Sequence, residues 1–332
     1  MTEIQGYYRH PTIHGDRVVF VAEDDLWTVP VSGGVPRRLT ASPGTVSFPV
    51  FSPDGRRVAF TGRDDGPAEA YVVDADGGDA RRVTWLGSFT ATVGWSKDGS
   101  RVVVATDAGQ AFRGYSHLHA VAPDGTGAPV ALLHGPARAI SYEPAGAGIV
   151  IGRNSGDPAR WKRYRGGTAG TIWIDRTGDG TFVPLVTLAG NLASPMWIGG
   201  RVWFLSDHEG HGNLYSCTPT GADLRRATHH EDFYVRFPST DGTRIVYHAG
   251  ADLFVFDPKT GASKKVPIDW HSGRSQRQRK FVSAARHLES ADLHPEGHTL
   301  LAVDRGGAYA MGLWDGPSGR LGAGSAVRHR LA

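Results

Sequence analysis

Cysteine, long apolar runs and helical periodicity are scarce in this 332-residue sequence. The single cysteine, Cys217, excludes an intrachain disulfide and is typical of a reducing compartment. No stretch approaches the roughly 18 consecutive apolar residues that a membrane-spanning helix needs. Residues 1–11 show neither the basic start nor the apolar segment of a secretory signal. We therefore expect a cytoplasmic protein with no membrane partner.

The sequence also lacks a large excess of positive or negative charge. The 36 lysines and arginines nearly balance the 33 aspartates and glutamates, and the net charge is only +3. Without an RNA-binding motif, this balance predicts no nucleic-acid partner. Two local basic clusters lie where the repeat described below is interrupted. One interpretation is that they are solvated surface or make contacts within the polypeptide. The alternative is that they bind an anion, a peptide carboxylate or a nucleic acid. They contain Arg160, Lys162, Arg163 and Arg165, and then Arg274, Arg277, Arg279, Lys280 and Arg286.

What the chain does contain is a sixfold repeat. A triplet of the Asp-Leu-Trp type recurs every 39 to 54 residues, the period of a four-stranded blade in a β-propeller. A β-branched or aromatic run such as Val18-Val19-Phe20 precedes each triplet, and a turn such as Ser32-Gly33-Gly34 follows it. The triplets are Asp25-Leu26-Trp27, Glu69-Ala70-Tyr71, His117-Leu118-His119, Thr171-Ile172-Trp173, Asn213-Leu214-Tyr215 and Asp252-Leu253-Phe254.

The repeats predict an all-β fold, a six-bladed β-propeller of four-stranded blades, over residues 1–272. A second class of turn, seen at Ser52-Pro53-Asp54-Gly55, precedes the central strands. One such sheet cannot bury both of its faces alone, whereas blades arranged around an axis cover one another. Whether an overlapping strand closes the ring stays open.

The end of the chain departs from this period. Residues 273–280 are polar and basic and are predicted to be a linker. Residues 281–332 hold the material of one more blade, including the turn His294-Pro295-Glu296-Gly297. We interpret this segment as the truncated start of a second propeller, an incomplete blade without a closing strand. The chain would then be the front portion of a longer polypeptide.

The common catalytic and cofactor motifs are missing. The sequence has no Gly-x-Ser-x-Gly nucleophile elbow, no phosphate-binding Gly-x-x-x-x-Gly-Lys-Ser/Thr loop and no His-Glu-x-x-His pair. Two ligand-rich stretches, Asp207 to His211 and His229 to Asp232, are interpreted as loops at strand ends, with a metal or anion site as the alternative. Cys217 lies on a predicted strand and is assigned to the core. We expect no catalytic residue, cofactor or metal site.

Several strings of residues resemble the amino-terminal part of tricorn-type proteases. The more specific ones are the order of two propellers and the string from Arg160 to Gly170, Arg160-Trp161-Lys162-Arg163-Tyr164-Arg165-Gly166-Gly167-Thr168-Ala169-Gly170. The opening Gly6-Tyr7-Tyr8-Arg9-His10-Pro11, the Asp24-Asp25-Leu26-Trp27 strand, the Phe51-Ser52-Pro53-Asp54-Gly55 turn and Arg279-Lys280-Phe281 add to the resemblance.

This resemblance implies a large cytosolic serine peptidase, a hydrolase that degrades oligopeptides and assembles into a homo-oligomer. In that family the propellers conduct or filter peptides, and downstream domains hold the catalytic residues. The chain is therefore expected to be a non-catalytic portion that acts as a peptide conduit or as an assembly and docking surface. Its implied partners are peptides and the downstream peptidase domains.

Two other functions stay open from the sequence. One is a stand-alone scaffold for protein–protein interaction, similar to the TolB group. The other is an enzyme of the lyase or lactonase type with a metal at the mouth of the ring. Loops at one rim of a propeller usually carry its contacts. The contact candidates are therefore Arg113, Arg160, Lys162, Arg163 and Arg165, with Arg163 and Arg165 ranked first for a peptide carboxylate or a neighbouring domain.

Overall fold

Strands make up nearly all the regular structure of the chain. A computed structural model describes residues 6–273, 283–322 and 327–330. Those residues form seven antiparallel four-stranded sheets and two short 3₁₀ turns, Pro158–Arg160 and Ala284–Arg286. No helix within the described ranges has the length and apolar character needed to cross a membrane. The chain divides after residue 276 into two compact units.

The first unit contains six of the sheets, each built from four consecutive strands. The first sheet comprises β1 Arg9–His14, β2 Arg17–Ala22, β3 Asp25–Pro30 and β4 Arg37–Arg38. The second comprises β5 Val46–Phe51, β6 Arg57–Gly62, β7 Glu69–Asp74 and β8 Arg81–Arg82. The third comprises β9 Thr90–Trp95, β10 Val102–Thr106, β11 His117–Val121 and β12 Val130–Pro136. The fourth sheet comprises β13 Ala139–Tyr142, β14 Ile149–Arg153, β15 Thr171–Asp175 and β16 Val183–Pro184. The fifth comprises β17 Leu192–Ile198, β18 Arg201–Ser206, β19 Asn213–Cys217 and β20 Arg225–Arg226. The sixth comprises β21 Val235–Thr240, β22 Ile245–Ala249, β23 Asp252–Asp257 and β24 Ala262–Lys265. The predicted all-β, six-bladed architecture is confirmed.

A buried polar pair explains why the repeated triplet begins with a polar residue. In the second blade the Glu69 carboxylate is fully buried and accepts a hydrogen bond from the Thr84 hydroxyl at 2.6 Å. The same hydroxyl oxygen accepts the Ala70 N–H at 2.8 Å, so one threonine ties the start of the third strand to the connection that follows the fourth. Equivalent pairs are Asp25 with Thr40 and Asn213 with Thr228.

The innermost strands form a ring. Each first strand, β1, β5, β9, β13, β17 or β21, contacts the first strands of both neighbouring blades, and β21 contacts β1. Among residues 6–273 the ring closes without strand exchange. It is held by a shared apolar cluster in which Trp270 contacts Tyr8 and Trp27 at ring distances of 5.4 and 4.7 Å. Two backbone hydrogen bonds reinforce it, from Gly34 N to Pro267 O at 2.9 Å and from Asp269 N to Gly34 O at 3.0 Å.

The second unit has one sheet, and its fourth strand is present. The sheet comprises β25 Leu288–Leu293, β26 Thr299–Asp304, β27 Gly307–Gly312 and β28 Gly319–Leu321. The expectation of an incomplete blade without a closing strand is therefore wrong, because the short β28 pairs with Ala308, Tyr309 and Ala310 of β27. The predicted linker lies, apart from Gly273, outside the described residues, as do Arg274, Arg277, Arg279, Lys280 and Phe281.

Candidate functional site: the axial channel

The six inner strands surround a channel with a volume of about 830 Å³. In four of these strands a bulge places an X-Pro pair at the channel wall, with X at positive φ. A bulge bends a strand and re-aims its side chains, and proline removes a ladder donor that the bulge leaves unused. The four pairs are His10-Pro11, Phe48-Pro49, Ser194-Pro195 and Phe237-Pro238.

Three of the bulged side chains meet in an aromatic cluster. The His10 ring lies 4.6 Å from Phe48 and 4.1 Å from Phe237, and the two phenylalanines are 5.7 Å apart. Because these residues belong to adjacent blades around the axis, the cluster narrows one side of the channel. His248 of β22 packs behind it, 5.7 Å from Phe237.

Both histidines of this region are held neutral. Burial lowers the pKa of His248 to about 3, and the nearby Arg236 and Arg9 guanidiniums add to the effect. Burial also lowers the pKa of His10 well below its usual range, with His248 as the next cause. Neither ring nitrogen of His248 has a hydrogen-bond partner among the described residues. An uncharged imidazole without a hydrogen-bond partner is therefore buried directly behind the channel wall.

One end of the channel is crossed by a long connection. Residues 154–170, between β14 and β15, are called the insertion here. Its Asp157 caps the 3₁₀ turn by accepting the Ala159 N–H at 3.1 Å. The same carboxylate accepts Arg236 Nε at 3.1 Å, so blade four is joined to the inner strand of blade six past the intervening blade. The Asp157 side chain is only 12% exposed, so solvent and salt screen this pair less than a surface ion pair.

Residues of blade five form hydrogen bonds with the backbone of the insertion. Asp207 Oδ2 accepts the Arg163 N–H at 2.6 Å, and Asn191 Nδ2 donates to Trp161 O at 2.9 Å. Asn191 also accepts the Gly170 N–H at 3.1 Å. In the stretch from Asp207 to His211, Asp207 accepts the backbone N–H groups of Arg163 and Asn191. Glu209 accepts the Tyr215 hydroxyl at 2.8 Å, so both carboxylates have partners within the chain, as the loop interpretation expected.

The sequence-predicted contact residues all lie on this end of the first unit. Arg160 lines the channel, whereas Arg163 and Arg165 are exposed outside it. Lys162 lies over the Tyr234 ring at 4.9 Å. Arg113 is exposed in the connection between β10 and β11. The structure therefore brings Arg160, rather than the two arginines ranked first, to the channel mouth.

Sequence reasoning missed Arg138. It lines the same mouth, donates to Gly114 O at 2.9 Å and lies over the Phe89 ring at 5.4 Å. Burial lowers its pKa from the ordinary value, and the Arg160 charge lowers it further, which shows that the two cations share one environment. Its place directly before the inner strand β13 is the signal that could have identified it.

The same end of the first unit displays its exposed aromatic residues. Strands alternate in direction, so the connections from second to third strands and the connections between blades emerge at one end, called the insertion face here. Every exposed Phe, Tyr or Trp among residues 6–273 lies on or next to such a connection. These residues are Tyr7, Trp85, Phe89, Phe112, Tyr115, Trp161 and Phe233.

The other candidate groups do not form a reactive site. Cys217 is buried on β19, and burial raises the pKa of its thiol to about 11. His230 bonds the Tyr247 hydroxyl at 2.9 Å, as a structural loop residue does. Within the described residues, three or more ligating groups converge only at His294, Glu296 and His298, in the second unit. The described channel wall holds no such group.

Comparison with known proteins gives a consistent assignment. The family model of the tricorn protease N-terminal β-propeller domain matches residues 5–262. Tricorn protease homolog 1 of Streptomyces coelicolor is 41% identical over 98% of this chain and 30% of its own length. A crystal structure of the tricorn protease matches with a TM-score of 0.84 at 30% identity, covering 98% of this chain and 32% of that one. The chain thus spans about a third of these relatives.

In another organism two proteins each match part of this chain. The tricorn-like protease N-terminal subunit of Sulfurisphaera tokodaii is 33% identical over 52% of this chain and 87% of its own length. The C-terminal subunit of the same organism is 37% identical over 45% of this chain and 17% of its own length. From the matched span and the six-bladed fold, the chain belongs to the tricorn protease N-terminal β-propeller family.

Proposed function

We propose that this chain is the non-catalytic propeller portion of a cytoplasmic, tricorn-like serine peptidase that degrades oligopeptides. Its axial channel passes peptides, and its insertion face docks the peptidase domains of a homo-oligomeric enzyme. The observation that carries the proposal is the channel mouth, where two cations and several exposed aromatics meet beside the insertion. Residues 273–280 would link this propeller to the start of a second one.

The mouth has the chemistry of a peptide carboxylate site. Arg138 and Arg160 both line the cavity, and their charges repel each other in a partly buried position. An anion between them relieves that repulsion, and arginine binds carboxylates with paired hydrogen bonds. Phe89 and Trp161 line the same mouth and supply apolar contact for a side chain near the peptide terminus.

Peptide binding tests the conduit. Fluorescence anisotropy with the purified chain would compare a labelled hexapeptide bearing a free C-terminal carboxylate with its amidated form. We expect the free acid to bind about tenfold more tightly, and Arg138→Ala combined with Arg160→Ala to abolish the difference. Arg81→Ala, on the outer strand β8, is the matched control. Equal affinity for the acid and the amide would contradict the carboxylate site.

The aromatic surface is suited to a protein partner. Aromatic residues and arginine are enriched at interface centres, and seven exposed aromatics share the insertion face with Arg113 and Arg163. The division of the corresponding region between two subunits in Sulfurisphaera tokodaii supports a partner that carries the peptidase domains.

Docking is tested with the separately purified non-propeller portion of a full-length relative. We expect the chain alone not to cleave fluorogenic peptides, and to co-elute with that portion in size-exclusion chromatography. Phe112→Ser with Trp161→Ser should weaken association by about tenfold or more. Leu133→Ser is the control, since Leu133 is exposed on the outer strand β12 rather than on the insertion face. If the control variant lost binding equally, the docking surface would lie elsewhere.

A further inference from the structure

The turn between β25 and β26 repeats the geometry of turns in the first unit. His294 N donates to Thr299 O at 2.8 Å and Gly297 N donates to His294 O at 2.7 Å. In the second blade, Ser52 N donates to Arg57 O at 2.8 Å and Gly55 N to Ser52 O at 2.8 Å. The glycine φ is +75° in the first turn and +70° in the second. The backbone is therefore the same in both places.

In this turn type the side chains at the first, third and fifth positions converge. In the third blade these are Ser96, Asp98 and Ser100, and the Asp98 carboxylate accepts both hydroxyls, at 2.5 and 2.8 Å. In the second blade Ser52 donates to Asp54 in the same way, at 2.5 Å. Donors and acceptor therefore satisfy each other within the turn, and no further ligand is needed.

The second unit places a different set of side chains at the same positions. Here they are His294, Glu296 and His298, all exposed. The two imidazole rings lie 4.3 Å apart at an interplanar angle of 28°, and His298 Nε2 is 3.2 Å from Glu296 Oε2. One ligand atom from each residue lies within 4.8 Å of the other two. Three potential metal ligands thus replace a self-satisfied hydroxyl and carboxylate set.

We propose that His294, Glu296 and His298 bind a divalent transition metal ion of the zinc type. Two imidazoles and one carboxylate are a donor set suited to Zn²⁺, whereas Mg²⁺ and Ca²⁺ prefer oxygen ligands alone. Ligands of a tetrahedral zinc ion are separated by about 3.3 Å, as follows from bond lengths of about 2.0 to 2.1 Å. Side-chain rotation suffices to close the remaining gap, since all three residues are exposed and the turn fixes their Cα atoms.

Binding changes two contacts of the free protein. His294 Nδ1 accepts the Glu296 N–H at 3.2 Å, a long hydrogen bond that ring rotation breaks. His298 Nε2 lies 3.2 Å from Glu296 Oε2, and a metal ion bound by both residues would lie between these two atoms. Water completes the coordination.

The test is calorimetric titration of the full chain with ZnCl₂ at about pH 7.5. We expect a saturable site whose affinity falls by about tenfold or more in His294→Ala and in His298→Ala. The matched control is His287→Ala, because His287 is an exposed histidine of the same unit outside the turn. It should bind Zn²⁺ as the unchanged chain does. Comparing variants removes the contribution of histidines in the first unit.

Three results would contradict the proposal. One is unchanged Zn²⁺ affinity in both turn variants, which would place any bound metal elsewhere. Another is that Glu296→Gln leaves Zn²⁺ affinity unchanged, which would make the carboxylate a hydrogen-bond partner of His298 and not a metal ligand. Comparable affinity for Mg²⁺ would also contradict the transition-metal assignment. The site is independent of the peptide channel, so failure of either proposal leaves the other standing.

Discussion

At the scale of single residues, the buried threonine that pairs with the first residue of a triplet, as Thr84 does with Glu69, is expected to stabilise the fold. Thr84 Oγ1 donates to the fully buried Glu69 and accepts the Ala70 N–H. Thr84→Val keeps the shape but leaves one buried donor and part of a buried carboxylate unsatisfied. We expect the free energy of unfolding to fall by about 2 to 3 kcal/mol, as measured by urea denaturation.

The control for Thr84 uses the same bond at the surface. Thr126 donates to Asp124 at 2.7 Å, but both residues are exposed. Because water replaces the lost partner there, Thr126→Val should change the free energy of unfolding by less than about 0.5 kcal/mol. A cost for Thr84→Val as small as that of the control would show that the buried pair is not stabilising.

The unpaired His248 makes stability depend on pH. Its folded pKa of about 3 lies below the ordinary value of 6.5, so the unfolded chain binds a proton more readily. The stabilisation present above about pH 6.5 is therefore lost as the pH falls toward 3, by about 1 kcal/mol for each pH unit. Replacing the ring by one that cannot titrate, in His248→Phe, should reduce that slope in urea denaturation between about pH 6.5 and 4.

His229→Phe is the matched control for this pH effect, because His229 is exposed. The slope should be unchanged in that variant, because folding leaves the His229 side chain in water. His10 continues to contribute a slope of the same sign in both variants. An equal slope in His248→Phe and in the unchanged chain would mean that His248 is protonated in the folded protein.

Only some of the side-chain contacts could be predicted from the sequence. The polar first residue of a triplet and a threonine fifteen positions later, as in Glu69 and Thr84, form a pattern that a reader can find. The X-Pro pairs of the channel wall, such as Phe48-Pro49, also recur visibly in the sequence. The packing of His248 against Phe237 could not be predicted from the sequence, because it depends on how far a bulge bends two adjacent strands.

At the scale of elements, the insertion is the part whose stability can be changed alone. Its tie across the mouth is the Asp157–Arg236 pair, which joins positions 79 residues apart. Asp157→Asn removes the charge and leaves the partly buried Arg236 without its partner. We expect opening of the insertion to become easier by about 1 to 2 kcal/mol, so that amide exchange within residues 154–170 accelerates by about 5- to 30-fold.

Hydrogen exchange measured by mass spectrometry would follow this change. The control is Asp79→Asn, an exposed aspartate in a connection at the opposite end of the blades. Exchange in the insertion should be the same in that variant as in the unchanged chain. Unaltered exchange in Asp157→Asn would show that the bonds to Asp207 and Asn191 hold the insertion by themselves.

Element boundaries were predicted well where turns are explicit. The Ser-Pro-Asp-Gly turn and the Gly-Gly turns mark strand ends because their glycines take positive φ, as Gly55 and Gly33 do. The fourth strand of the last sheet was missed, since Gly319–Leu321 has a weak strand composition and is defined by its pairing with β27. The role of Arg138 was missed for a related reason, because the channel mouth is assembled from separate blades.

At the scale of the whole molecule, self-contained blades make the ring divisible. Each sheet consists of four consecutive strands, so cutting a connection between blades interrupts no sheet. Adjacent blades are held by apolar clusters, such as the one that unites Ile172, Trp197 and Phe204 across blades four and five. The Sulfurisphaera tokodaii subunits, which match 52% and 45% of this chain, are consistent with such a division.

We therefore expect residues 1–189 and 190–332 to reassemble when they are co-expressed. Each piece alone exposes the apolar faces of two blades and should aggregate, whereas the pair buries them again and should elute as a one-to-one complex. Replacing Trp197 by Asp in the second piece should prevent assembly, because that residue is buried at the restored interface. The exposed Trp85→Asp in the first piece is the control. Stable, monomeric halves that ignore each other would show that closure contributes little, and the ring would then owe its stability to the individual blades.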